Sequence, residues 1–422
     1  MFTEFLKSED VYFRILLFLF PIFFLIVRGW TNTIGFLIGI LAIIHLVRNF
    51  NFYFFNRDRR FWCIQLAIVG PFIAEILAQV GQQSLNLSSL DGPSRFLLAS
   101  LVFVFLSRSE FSVSLIRSLS WGSLIGVVLV AMFVLLHREF LLTFHDRRVS
   151  FFLDPIVLPG AMGLLALFSL DAIRSIGSFK LKFSLGLSIF LSLIYVILCS
   201  ESRTPLLAMI LSLSVFISLR FRKIFFIVFI LFITSLLLIG AQFKSGSFQR
   251  LTDIETDLVR YISGDPRSSV GERINLVKTD IEIIKLYPFF GVSDRNLPAF
   301  DYFEKRVPTL DEKLYQVRVH SGGHTQLFGM FARRGIFGGG ISVIALFVFP
   351  IFLVLNHRRS SLRDDFNGVL FISAVICFFT LGLGMEFFAL KMTSMFWAIS
   401  SSVFFSYFYS REEFDSKNKC LG

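Results

Sequence analysis

The sequence predicts an all-α polytopic membrane protein with about twelve transmembrane helices. Three observations predict it. The chain is 55% hydrophobic, and Phe alone occurs 56 times in 422 residues, well above the apolar content of soluble domains. The apolar residues fall in nearly unbroken runs of roughly 17–25, the length that crosses a bilayer as a helix. They lack the short alternating segments of a membrane barrel, and lipid admits no third architecture, because every backbone polar group must be satisfied internally.

Taken in order, the expected spans are 11–28, 32–48, 61–79, 95–107 (short), 119–137, 155–173, 182–199, 204–219, 224–241, 336–355, 367–384 and 390–408. Basic residues orient them. Arg48, Arg57, Arg59 and Arg60 share one connection, Arg174, Lys180 and Lys182 another, and Arg220, Arg222 and Lys223 a third. Arg358, Arg359 and Arg363 form a fourth group, and Lys7, Arg411, Lys417 and Lys419 agree with it. With an even helix count all lie on one face, which the positive-inside rule makes the cytoplasm. The opposite, outer face then carries 80–94, 138–154, the short turn at 201–204 and the long insert 242–335.

This ordering gives three regions: an N-terminal bundle of about nine helices over 1–241, a loop domain on the outer face over 242–335, and C-terminal helices with a cytoplasmic tail over 336–422. The net charge of +11 reads first as a topology signal rather than as nucleic-acid binding. It leaves room for an anionic substrate outside the membrane. Cys63, Cys199, Cys377 and Cys420 form no disulfide framework and no paired-cysteine metal motif.

The long insert is too long for a passive connection. Ser269-Val270-Gly271-Glu272 fits a capping box. Val270, Ile274, Val277, Ile281 and Ile284 then recur at steps of three and four as one apolar stripe, and Pro288 and Gly291 end it. An amphipathic helix lying on the bundle or membrane surface is expected there.

Four basic features share the outer face, where charge near lipid implies a task. Arg203, in Ser200-Glu201-Ser202-Arg203-Thr204-Pro205, either snorkels from a helix end or offers a fixed guanidinium to phosphate. Arg273 opposes the dipole of the loop helix, although Glu272 beside it offsets the charge. His320 and His324 lie in a Gly-containing segment that runs on to Arg333-Arg334-Gly335-Ile336-Phe337-Gly338. No third ligand accompanies them, so a general base or a hydroxyl partner is a better reading than a metal pair. Arg147 and Arg148, in His145-Asp146-Arg147-Arg148, read as a solvated charge run or as further substrate contacts. Together these groups point to an anionic, lipid-linked substrate whose diphosphate the guanidiniums would hold.

The residues resemble the O-antigen ligase/polymerase family of bacterial envelope glycosyltransferases. Ser202-Arg203-Thr204-Pro205-Leu206-Leu207 resembles that family's arginine-bearing helix start. Val270-Gly271-Glu272-Arg273 with the later Pro288-Phe289-Phe290-Gly291-Val292 resembles its loop helix, and His324-Thr325-Gln326-Leu327 with Gly335-Ile336-Phe337-Gly338 its histidine signature. The family usually has Asn where Thr325 stands, and its paired histidine lies nearer than His320. The resemblance implies a metal-independent, cofactor-free inverting transfer in the bacterial inner membrane. The donor is a glycan on undecaprenyl diphosphate; in a ligase, the acceptor is a sugar hydroxyl of lipid A–core. It implies that Arg203 and Arg273 hold the diphosphate and that His324 activates or orients the acceptor, with Arg147, Arg148, Arg318 and His320 as secondary substrate contacts. The alternatives are an O-antigen polymerase sharing the same donor, a protein-directed O-oligosaccharyltransferase and, from another class, a transporter of an anionic or lipid-linked solute. Transporters tend to show repeated halves and midplane sites, and neither is evident here.

Overall fold

The computed structural model describes residues 2–54, 57–108, 112–137, 142–143, 148–149, 153–221, 227, 230, 246–265, 267–321, 325–356 and 364–420. Among these the chain is an all-α polytopic membrane protein. Eight helices are long and apolar enough to cross a membrane, and the apolar helical stretches Val11–Phe24 and Phe366–Gly382 are shorter.

The bundle opens with α1 (Phe2–Phe24), α2 (Trp30–Arg48), the short α3 (Phe50–Phe54), α4 (Arg59–Gly81), α5 (Leu87–Leu106) and α6 (Ser112–Leu136). A two-residue antiparallel pairing, β1 (Leu142–Thr143) with β2 (Arg148–Val149), precedes α7 (Val157–Ser175), α8 (Phe179–Ser200) and α9 (Arg203–Arg220). The polar insert folds as α10 (Gly246–Ile262), α11 (Ser269–Leu286), α12 (Phe300–Glu304) and α13 (Glu312–Ser321). The chain returns to the bundle through α14 (Gln326–Val343), a π-helical turn (Ile344–Val348), α15 (Phe349–Asn356), α16 (Phe366–Gly382) and α17 (Lys391–Cys420). The expected span 224–241 lies outside the described residues, isolated positions apart.

Burial sorts the helices. Nearly every residue of α7 and α16 is buried, whereas most of α8 is not. A helix apolar all round belongs either to a core or to a lipid face, so α7 and α16 sit inside the bundle and α8 at its lipid-facing edge. Trp397 of α17 is fully buried, stacked on Phe371 and tilted against Phe378 of α16. Gly122 and Gly126 of α6 face the backbone of α1 at Phe18 and Pro21, the small-residue packing that lets two membrane helices approach closely.

Two expectations need correction. The short span 95–107 is the end of a longer helix, because the polar turn Leu87–Ser94 continues it through Pro93, after Asn86 caps Ser88. The span expected from 336 begins ten residues earlier, at Gln326. Its first part carries Arg333 and Arg334, which fall outside any apolar window yet pair with Glu386 and with Glu75.

The insert builds its own small core from Ile283, Val292, Phe303, Val307, Leu310, Tyr315 and Ala332. The expected loop helix exists as α11, with two adjustments. Ser268, not Ser269, is its N-cap and accepts from the Gly271 amide. The stripe Val270–Ile284 is only half-buried, and the buried face is Gly271, Asn275, Leu276, Thr279, Asp280 and Ile283. Tertiary partners make the polar members of that face burial-compatible. Asn275 accepts from the Tyr261 and Thr309 hydroxyls and donates to the Thr309 carbonyl, and Asp280 accepts from Arg318.

Candidate functional site

The helix ends at 81–87, 200–203, 325–326 and 382–391 follow one another by up-and-down alternation, so they share one end of the bundle with the insert. There the N-termini of α9 and α11 meet. Glu201 turns the chain in a left-handed conformation (φ 50). The Ser202 hydroxyl donates to the Pro155 carbonyl at 2.8 Å, tying this turn to the start of α7. Arg203 is therefore the first residue of α9, and its guanidinium projects from an anchored corner. Pro205, two positions on, has no amide proton to waste in a first turn.

Arg203 and Arg273, seventy positions apart, line one cavity of about 310 Å³ together with Arg260, Arg267, Ser268 and three carboxylates, Glu201, Asp253 and Asp257. Arg203 Nη1 lies 3.8 Å from Asp257 Oδ2, with Arg203 about one-fifth exposed. Burial pushes the Arg273 guanidinium down from its ordinary value, and the like charge of Arg203 adds to that push, against Asp154 and Glu272. With the Arg203 charge working against that of Arg273, the pair forms a place where an anion relieves repulsion. The positive ends of two helix dipoles point at the same place. Asp154 belongs to the turn before α7, where it accepts from the Ile156 amide at 2.8 Å, and Ile156 lines the cavity.

Other expected residues fare differently. His324 and Arg147 lie outside the described residues. Arg148 stands opposite Thr143 in the small strand pair, and His320 lies in the last turn of α13. Arg318 is fully buried: Nε meets Asp280 Oδ1 and Nη1 meets Asp294 Oδ1, each at 2.7 Å. Its guanidinium thus faces two carboxylates and does not line the cavity that Arg203 and Arg273 share. Burial alone would lower it, but Asp280 and Asp294 outweigh that and hold it above its ordinary value. From Asp294 the chain of charge continues to Arg333 (3.4 Å) and on to Glu386 in the turn before α17.

The sequence reading missed Asp253, Asp257 and Arg260. The available signal was their spacing of four and three, which puts all of them on one face of α10.

The two glycine motifs prove to be halves of one joint. Gly335 breaks α14 (φ 63, ψ −171). The freed amides of Ile336 and Phe337 donate to the carbonyls of Pro288 and Phe289 at 2.7 and 3.3 Å, and the Val292 amide donates to Ala332 at 3.0 Å. Gly291 also has positive φ (67), and a Cβ at either glycine would collide with the opposing backbone. The Gln82 amide, from the turn after α4, donates at 2.8 Å to both Phe290 and Arg333 carbonyls. The joint fixes the middle of α14 against the segment that follows α11.

Residues 187–343 match the family model described as O-antigen ligase, a stretch that contains α9, the whole insert and α14. This match supports the O-antigen ligase family. No curated protein matches the chain.

Proposed function

We propose, from that family match, that this multi-pass membrane protein is an O-antigen ligase. On this reading it transfers a glycan from undecaprenyl diphosphate to a sugar hydroxyl of lipid A–core, at the periplasmic face of the bacterial inner membrane. The observation that carries the reading is the cavity in which Arg203 and Arg273 converge. A diphosphate leaving group gains charge as its bond to the sugar breaks, and preorganised cationic donors lower that barrier. Guanidiniums suit phosphate because their planar fork binds two oxygens at once.

The proposed step is one displacement. The acceptor oxygen bonds to C1 of the donor sugar from the face opposite the diphosphate. The C1–O bond to phosphate breaks, its electron pair leaves with undecaprenyl diphosphate, and the configuration at C1 inverts. His324 takes the acceptor's proton, since a sugar hydroxyl is a weak nucleophile at neutral pH. Arg203 and Arg273 supply the countercharge without calling on a metal ion. Arg147, Arg148 and His320 remain proposed contacts to substrate, and Arg318 is reassigned to positioning, because its guanidinium is committed to Asp280 and Asp294.

The test is the lipopolysaccharide profile of a deletion strain complemented by wild type, Arg273→Ala or His324→Ala. A core without O-chains, with polymer accumulating on undecaprenyl diphosphate, is the ligase outcome. A core bearing a single O-unit makes the protein a polymerase. An unchanged deletion profile overturns both readings and favours a transporter. Normal attachment in both variants removes the site assignment.

A further inference from the structure

A second cavity, of about 340 Å³, opens at the same end of the bundle and involves none of the arginines assigned to the diphosphate. Its rim is the turn between α4 and α5 (Gln82, Ser84, Asn86) with the first turn of α5 (Ser88, Ser89), and its wall includes Asp294, Arg333, Arg334 and Lys391 over an apolar patch at Phe388. Every cation in this wall is already paired with a carboxylate. Arg334 Nε meets Glu75 Oε2 at 2.7 Å, Arg333 bridges Asp294 and Glu386, and Lys391 pairs with Asp91. A further anion would have to displace one of these carboxylates. A neutral polyol would not. Each of its hydroxyls donates and accepts, as the rim amides and hydroxyls do, and it adds charge-assisted bonds to the free edges of the ion pairs. The volume sits at the low end of the roughly 300–1,000 Å³ usual for small-molecule sites, room for a sugar ring rather than a polymer.

We infer that this cavity, where the α4–α5 turn meets Arg333, Arg334 and Lys391, is a saccharide subsite that grips the glycan at a distance from the reacting bond. The inference rests on the glycan-transfer reading above. Its spacing follows from α11, which runs from Arg273 beside the first cavity towards the joint beside the second. From Arg273 to Leu286 is about 20 Å at the helical rise, several sugars away from C1. The saccharide belongs either to the growing end of the donor chain or to the acceptor core; both offer the same hydroxyl chemistry.

The test measures binding, not transfer, on the purified full-length protein in lipid nanodiscs. Two probes are used: O-polysaccharide freed of its lipid carrier, and core oligosaccharide freed of lipid A, both from the strain that encodes the protein. Saturation-transfer NMR and thermophoresis give the affinity. Ser84→Trp fills the cavity from a turn residue and should weaken binding at least tenfold; Ser88→Trp repeats this from a second position, so that one misfolded variant does not decide the result. Arg273→Ala should bind as wild type does. Binding of the O-chain probe assigns the subsite to the donor, and binding of the core probe assigns it to the acceptor. The inference is overturned if neither probe binds or if both tryptophan variants bind normally. Loss of binding in Arg273→Ala, or displacement of the saccharide by inorganic diphosphate, also overturns it. If saccharide binding persists while transfer is absent in wild type, the ligase reading fails and the subsite stands.

Discussion

Arg318→Ala should loosen the insert far more than any exposed charge removal. Arg318 is 0% exposed and Asp280 1% exposed, with 2.7 Å between Nε and Oδ1. The other oxygen of Asp280 has no hydrogen-bond partner among the described residues, so Arg318 supplies nearly all of its compensation. Removing one partner of a buried pair leaves an unpaired charge, which costs about 3–5 kcal/mol. At about 1.36 kcal/mol per tenfold, amide protection over α11 and α13 should fall by roughly two to four orders of magnitude, read by hydrogen-exchange mass spectrometry in nanodiscs. Lys285→Ala is the internal control: its bond to Glu282 joins a side chain 66% exposed, and such pairs are worth at most about 1 kcal/mol. The double variant Arg318→Met with Asp280→Leu removes both charges and should recover most of the protection. Wild-type exchange in Arg318→Ala would refute the reasoning, as would a double variant no better protected than Arg318→Met alone.

Three further outcomes are expected. Arg203→Ala and Arg273→Ala should each lower glycan transfer by about 10²–10³-fold, the usual effect of losing one transition-state donor; in vitro transfer with lipid-linked donor reads this, and Lys at either position should restore only part of it. Gly335→Ala should unfold the joint at lower temperature than wild type, because a Cβ there meets the Phe289 backbone at a φ that L-residues rarely adopt; a thermal-shift assay on detergent-solubilised protein checks it, and Gly340→Ala, with open space around it, is the neutral comparison. The insert should also loosen in acid. Burial works to raise the Asp294 carboxyl, but Arg333 and Arg318 outweigh it and hold it below the usual carboxylate range. A depressed folded pKa gives stability that is complete above the unfolded value of about 3.9 and is lost as pH falls through the folded one; amide exchange over residues 294–296 against pH should show that loss, and Asp294→Asn should flatten it.

How legible the molecule was in its sequence depended on the range of the forces involved. Solvent chemistry is local, so apolar runs located the described membrane helices; they missed the ends where a helix leaves the apolar window, at Phe2–Asp10, Leu87–Ser94, Ser112–Ser118, Gln326–Arg334 and Tyr409–Cys420. The site divides the same way. Arg203 and Arg273 were each visible as costly charges at helix starts, but their meeting is a tertiary fact, and so is the transfer of Arg318 from substrate contact to strut. The buried polar face of α11 was hidden for the same reason: Asn275 and Asp280 look solvent-facing until Tyr261, Thr309 and Arg318 are in place.

The joint at Gly335 also bears on modularity. The insert looks like a soluble unit that could be excised, expressed and crystallised alone. Yet its core includes Ala332 of a helix that descends into the bilayer, and the backbone groups at 288–292 find their partners at Ala332, Ile336, Phe337 and Gln82. A fragment cut at either edge would lose hydrogen bonds that nothing in its own chain replaces. The insert is thus a lid riveted to its vessel, and this pair of regions has to be inherited, grafted or swapped between homologues as one piece.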